Sequence, residues 1–229
     1  MNNNCFVPIP ETTLPGGLVV PAFQIAQYPC SQRGGKLSIT KDGTPWVRIN
    51  YINATKACND AGYQLARETQ RLAVAYHIAA QDENWTGGGV GFGKMYQGLR
   101  KWNVNSAQPA SIEPKDEDER RWFVLPGGHR IYDIAGNVWE WTFDDVQGND
   151  KGLIARPFKA DSPSLVIPYP DKDKGQGWTP PVGSNWSGNA LVRGGYWGSE
   201  SDAGAFVLYS DWPDREGDDV GFRCTKPGL

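Results

Sequence analysis

Helical periodicity is confined to the first half of the chain. Over 68–80 the apolar positions Leu72, Ala75, Tyr76 and Ala79 recur at i, i+3, i+4 and i+7, a spacing that lines one face of a helix. Upstream, Asn53 can cap a shorter helix running through Cys58 and Ala61 and ending at Gly62, the residue type that best tolerates the left-handed turn after a helix. Residues 23–28 and 46–51 read as short strands, with a mostly polar hairpin over 34–44 between them. Residues 1–22 are rich in Pro and Gly and show no period, which predicts an arm lying on the surface or a junction to something else, leaving 23–229 as one domain. Beyond Asp82, glycines, prolines and tryptophans alternate with short apolar stretches. That predicts irregular structure stitched by small antiparallel sheets, so the fold class is α+β.

Composition narrows the functions open to such a fold. The 229 residues carry 23 Lys+Arg against 26 Asp+Glu, a net charge of -3 that offers no basic field to a nucleic acid backbone. Ten Trp, nine Tyr and eight Phe speak for a packed aromatic core rather than disorder. No apolar run approaches the roughly 18 residues of a membrane helix, so membrane insertion is not expected, and MNNNCFVPIP has neither the basic nor the apolar region of a signal peptide. Cys5, Cys30, Cys58 and Cys224 form no C-x-x-C pair, and His77 and His129 are the only histidines, so a zinc site would need scattered ligands. Cys30, Cys58 and Cys224 are expected buried and reduced, with Cys5 the most reactive. The mixed-charge run at 113–121 (EPKDEDERR) reads as a solvated loop or helix end, and His77 as packing.

Several near-motifs lack a decisive residue. TGGGVGFGK at 86–94 nearly spells a phosphate-binding loop, but Met95 stands where a hydroxyl should reach Mg²⁺ and no strand leads into it. DKDKG at 171–175 has its glycine one position too early for a calcium loop, and Val182 occupies the place of the bidentate glutamate. Neither G-x-S-x-G nor H-E-x-x-H occurs.

The most specific string is DIAGNVWEW at 133–141. As physics it suits a core: Gly136 permits a tight turn between Ile134 and the Trp139/Trp141 pair, while Asn137 and Glu140 can satisfy backbone groups left over by irregular structure. Together with Arg193-Gly194-Gly195, Trp197 and Gly221-Phe222-Arg223-Cys224, it resembles the formylglycine-generating (sulfatase-modifying) enzyme family over roughly 20–226. The resemblance implies an elaborated C-type lectin fold. It also implies that Asp133 and Glu140, with the carbonyls of Gly136 and Val138, could hold a structural Ca²⁺, no other cofactor being required. The rival reading gives both carboxylates to backbone N–H groups. The enzymes of that family carry a reactive cysteine pair between R-G-G and G-F-R-C. Here residues 196–219 contain no cysteine, so neither the nucleophile nor a thiolate copper ligand is present in that segment and formylglycine chemistry is not expected.

A second branch is also similar: the variable proteins of diversity-generating retroelements, such as the tropism determinants of phage tails. They show R-G-G-x-W, then a polar and aromatic segment containing A-G-x-F, then a proline and a terminal V/I-G-F-R-C. This chain has Arg193 to Trp197, Ala203 to Phe206, Pro213 and Val220 to Cys224 in that order. Adenine mutagenesis of asparagine codons cannot produce Lys, Glu, Gln, Trp or Met, which makes Glu200, Trp212 and Glu216 framework. The resemblance implies a diversified face built from Tyr196, Gly198, Ser199, Asp202, Val207, Tyr209, Ser210, Asp211, Asp214 and Arg215, with Arg193, Trp197, Trp212 and Phe222 as anchors. Independently, Tyr196, Tyr209, Trp212 and Arg215 are residue types enriched at binding hot spots, and the intervening Asp and Ser supply adaptable hydrogen bonds.

Three functions follow as expectations. The first is a non-enzymatic receptor-binding protein of a phage tail, recognising a protein or glycan on a target cell, as a homo-oligomer or docked in a tail assembly on the virion. The second is a binding protein displayed on a bacterial cell surface. The third is an enzyme of the same scaffold with altered chemistry, which would need another nucleophile or a metal.

Overall fold

Two helices form where the periodicity lies. The computed structural model describes residues 4–169 and 172–228. Helix α1 (Tyr51–Asp60) is capped by Asn50, whose side chain accepts from the Asn53 N–H at 2.9 Å, so the cap sits three residues before the one expected. The stretch 46–51 is not a strand. Val47 and Ile49 alternate as a strand would, but Arg48 has φ 55°, and this left-handed kink turns the chain straight into α1. Gly62 closes the helix with φ 77°, as its position predicts. Helix α2 (Glu68–Ala79) buries Leu72, Ala75 and Ala79 as expected. It also buries Glu68 and Arg71, so it is enclosed almost all round rather than along one stripe.

Two four-stranded sheets frame these helices. The first has β1 (Phe6–Ile9), β4 (Phe23–Ala26), β14 (Cys224–Pro227) and β7 (Gln64–Leu65) in that order. The N-terminal stretch expected as a surface arm is therefore an edge strand. It pairs Phe6 with Ala26 and Ile9 with Phe23, and it sends Val7, Ile9, Leu14 and Val20 into the core beside Leu72 and Ile78. Pro8 and Pro10 masked the alternation, and an edge position is where a sheet tolerates proline. The second sheet runs β12 (Gly204–Asp211), β11 (Ala190–Gly194), β10 (Trp139–Thr142) and β13 (Val220–Phe222), antiparallel except for β10 with β13. Small hairpins complete the fold: β2 (Thr12–Thr13) with β3 (Val19–Val20), β5 (Ser31–Arg33) with β6 (Lys36–Ser38), and β8 (Trp122–Val124) with β9 (Arg130–Tyr132). No helix among the described residues is long and apolar enough to cross a membrane.

The string 133–141 lies at the centre, and arginines hold its charges. Gly136 adopts φ 82° with its Cα so close to the Leu99 carbonyl that a Cβ would collide with it. Asn137 receives the Gln108 N–H at 2.9 Å and donates to the Gln108 carbonyl at 3.0 Å, which is the backbone role expected of it. Asp133 instead takes two hydrogen bonds from Arg121, at 2.8 and 2.7 Å, and Glu140 is shared by Arg223 (2.7 Å) and Arg71 (3.2 Å). On the same side of the second sheet Arg193 pairs with Glu68 of α2. Burial lowers Arg71 to about 10 despite Glu140 beside it, because Arg193 and Arg223 crowd the same interior.

The run 113–121 is not simply solvated. Glu119 is fully buried and accepts the backbone N–H groups of Arg100 and Lys101, at 2.5 and 2.7 Å, while Arg121 reaches into the core. Cys30, Cys58 and Cys224 are buried free thiols gathered together, with the Cys224 sulfur 2.7 Å from Cys58 and 3.3 Å from Cys30. Burial pushes the Cys58 and Cys224 thiols up. His77 is half-buried against Thr12, 2.8 Å from its hydroxyl, and burial lowers its pKa.

Candidate functional site

Strand alternation sorts the second sheet into two faces with different roles. Leu208, Leu191 and Arg193 point toward a small core and the buried ion pairs. Val207, Tyr209 and Asp211 of β12 point the other way, where with Val192, Trp139 and Val220 they line an open cleft of about 660 Å³. The register makes this one surface, since Tyr209 sits opposite Val192 and Trp139 opposite Val220.

Aromatic rings dominate one wall. Tyr209, 48 % exposed, stacks on Trp139 at 6.0 Å between centroids and packs against Trp178 at 5.7 Å and Trp186 at 5.5 Å. The opposite rim is the turn at 196–202. The Ser199 hydroxyl accepts the Tyr196 N–H at 2.9 Å, and Trp102 packs edge-on against Tyr196. Between the walls Arg215 reaches Asp211 at 2.9 Å and Asp219 at 2.7 Å, and Lys172 pairs with Asp202. Burial and then Asp219 push the Tyr196 phenol up, with Arg215 pulling against them.

Most of the residues singled out from the sequence meet here. Tyr196, Gly198, Ser199 and Asp202 line the rim, and Val207, Tyr209, Asp211 and Arg215 line the floor and wall. Ser210 does not join them. It lies on the opposite face of β12, where its hydroxyl receives the Asn189 amide at 3.1 Å. Asp214 is exposed outside the cleft. Gly198 tolerates no easy diversification, because a Cβ there would run into the Trp102 ring, which would have to swing away. Among the anchors, Trp197, Arg193 and Phe222 are buried, but Trp212 is 69 % exposed and anchors nothing.

The sequence reading missed Trp139, Trp178, Trp186, Lys172 and Asp219. The sequence suggests the core for Trp139 as for Trp141. Only Trp141 is fully buried, covered by Tyr51 of α1, whereas Trp139 is half-buried at the edge of the same core and lines the cleft. Trp178 and Trp186 arrive from loops with no period, and their tryptophan identity was the sole available signal.

The residues proposed for calcium do not form a cation site. Asp133 and Glu140 are each neutralised by guanidinium groups, and a cation there would face Arg121 or Arg71 and Arg223 at contact distance. Neither carboxylate follows the rival reading of bonds to backbone N–H groups. Among the described residues no group of three or more His, Cys, Asp and Glu is arranged to hold a metal. In the 171–175 stretch Asp171 lies outside the described residues, Lys174 donates to the Gly91 carbonyl at 2.9 Å, and Lys172 belongs to the cleft. A second cleft of about 770 Å³, between the β5–β6 hairpin and α1, contains none of the candidate binding or metal residues named from the sequence.

Comparison with known proteins agrees with the architecture. Residues 25–227 match the sulfatase-modifying factor enzyme 1-like domain (FGE-sulfatase). The chain belongs to this family. A formylglycine-generating enzyme of Streptomyces coelicolor is 26% identical over 203 residues, which are 84% of this chain and 56% of that protein. The chain thus spans just over half the length of the curated relative it matches. Among solved structures, PvdO from Pseudomonas aeruginosa superposes with TM-score 0.53 and 16% identity over 99% of this chain and 96% of that one. The Major Tropism Determinant I1 variant gives 0.47 and 15% over 97% of this chain and 55% of that one. The fold is α+β, of the C-type lectin-like type found in this family.

Proposed function

We propose that this FGE-sulfatase family chain is a non-enzymatic binding protein whose ligand face is the cleft between Tyr196 and Tyr209. One observation carries the reading: eight residues picked from the 196–219 segment, scattered over a turn, a strand and a loop, converge on a single open surface rich in aromatic and hydrogen-bonding groups. The same segment lacks cysteine, so the thiol chemistry of the formylglycine-generating relatives has no nucleophile there. The order of R-G-G-x-W, A-G-x-F and G-F-R-C supports a variable receptor-binding protein of a phage tail or another virion-borne or cell-surface assembly, engaging a receptor on a target cell.

The test replaces Tyr209, Asp211, Asp214 and Arg215 together with serine and measures melting and attachment to target cells. The expected result is loss of attachment with the fold retained. Attachment that survives would remove the cleft from recognition. A genomic check is independent of it: a reverse transcriptase gene beside a near-copy of the segment encoding 196–219 is expected.

A further inference from the structure

The cleft joins an aromatic platform to charged groups that already hold one another. Tyr209 presents an exposed ring within a cluster completed by Trp139, Trp178 and Trp186. Arg215 is clamped between Asp211 and Asp219, and Lys172 holds Asp202. Three of the four lining carboxylates are therefore in ion pairs, with Glu200 alone outside them at the rim.

We propose that the ligand of this cleft is the neutral sugar ring of a glycan, stacked on Tyr209, Trp139 and Trp178 and hydrogen-bonded through its hydroxyls to the Asp211–Arg215–Asp219 clamp. The proposal rests on the cleft being the ligand face and adds the chemistry of what it takes. An anionic ligand meets four carboxylates against two cations. A cationic ligand would have to displace Arg215 or Lys172 from carboxylates they already hold, giving up charge-assisted bonds to form similar ones. A hydroxyl needs neither exchange. A carboxylate in an ion pair keeps lone pairs free to accept from O–H, and a guanidinium that spends two of its five N–H groups keeps others to donate. One sugar hydroxyl both donates and accepts, so adjacent hydroxyls can bridge Asp211 to Arg215 without breaking the pair. The other half of a pyranose is a patch of C–H bonds carrying slight positive charge, which the negative face of an aromatic ring attracts while the apolar contact is desolvated. A cleft of about 660 Å³ lies within the roughly 300–1,000 Å³ of ordinary small-ligand sites.

The experiment uses the full chain and follows tryptophan fluorescence, since three of the cluster's four rings are indoles. Glucose, galactose, N-acetylglucosamine, rhamnose and disaccharides of each are titrated in turn, with sialic acid and lysine methyl ester as charged controls. At least one neutral sugar is expected to give a saturable change. Its affinity should fall at least tenfold in Tyr209→Ala and in Arg215→Lys, the second keeping the charge while losing the fork, with melting temperatures unchanged. No saturable response to any neutral sugar, or one that survives both substitutions, overturns the proposal, as does saturation by a charged control alone. A second arm compares target cells treated with periodate, which cleaves vicinal diols, and with protease. Attachment lost to periodate and kept after protease supports a glycan. The reverse sinks the glycan while leaving the cleft standing as the face for a protein receptor, and the cleft itself falls only if the quadruple serine variant still attaches.

Discussion

Tyr209 and Ser210 are neighbours on one strand with opposite surroundings, and that difference sets what substitution at each should do. Tyr209→Ala removes an exposed ring from the cleft and is expected to lower stability by less than about 1 kcal/mol, since the site is open to water. Trp141→Ala removes a fully buried ring that donates to the Ile49 carbonyl at 2.9 Å, so urea unfolding should show a loss of about 3–5 kcal/mol. Trp139→Ala should fall between them, because its indole is only partly covered. Asp144 gives a pH signature. Burial raises its carboxyl to about 6, although its Oδ1 accepts the N–H groups of Val146 and Gln147 at 3.0 Å each. The folded chain therefore holds this proton more tightly than the unfolded chain, whose aspartate titrates near 3.9. The contribution is fully present below about pH 4 and is lost as pH rises through about 6, an effect on the order of 3 kcal/mol. Denaturant unfolding from pH 4 to 7 should show this decline, and Asp144→Asn should flatten it.

At the scale of elements, the clearest experiment concerns how α2 is tied to the second sheet. Arg193→Ala leaves Glu68 charged, buried and without its partner, which is expected to cost about 3–5 kcal/mol. Replacing Glu68 and Arg193 together by Leu and Met should cost clearly less than the sum of the single changes, as a double-mutant cycle by chemical denaturation would reveal. The same elements show what sequence could convey. Helix α2 was legible because its apolar spacing is local and strong, and Gly62 because one conformation demands it. Strand β1 was hidden by Pro8 and Pro10, whose missing N–H groups matter only if the strand has two neighbours, and that depends on the whole sheet. The false strand at 46–51 arose because periodicity cannot register the left-handed turn at Arg48. In the cleft, Tyr196 through Arg215 were legible as a continuous segment. Trp178 and Trp186 were not, because they reach Tyr209 from loops more than twenty residues away in sequence. Asp133 and Glu140 were identifiable as buried acids, but nothing local shows that their partners would be arginines supplied from 71, 121 and 223.

Over the whole molecule, the three inward thiols report on global opening. In the native protein Cys30, Cys58 and Cys224 should react with a thiol reagent only as fast as the chain unfolds, while half-buried Cys5 reacts first, and denaturant should expose all four at once. Time-resolved alkylation read by mass spectrometry checks this. A last consequence comes from residues 220–227. Val220–Phe222 lies in one sheet beside Trp139–Thr142, and two residues after Phe222 the chain enters the other sheet between Phe23–Ala26 and Gln64–Leu65. Eight consecutive residues thus finish both halves of the fold, and every pairing they make is with chain synthesised long before. On a ribosome the earlier segments must wait, collapsed but unlocked, until this stretch clears the exit tunnel. A nascent chain held on a tether long enough to place residue 219 outside the tunnel should accordingly remain open to protease along its length, and the same tether carrying residues 220–227 as well should confer resistance everywhere together.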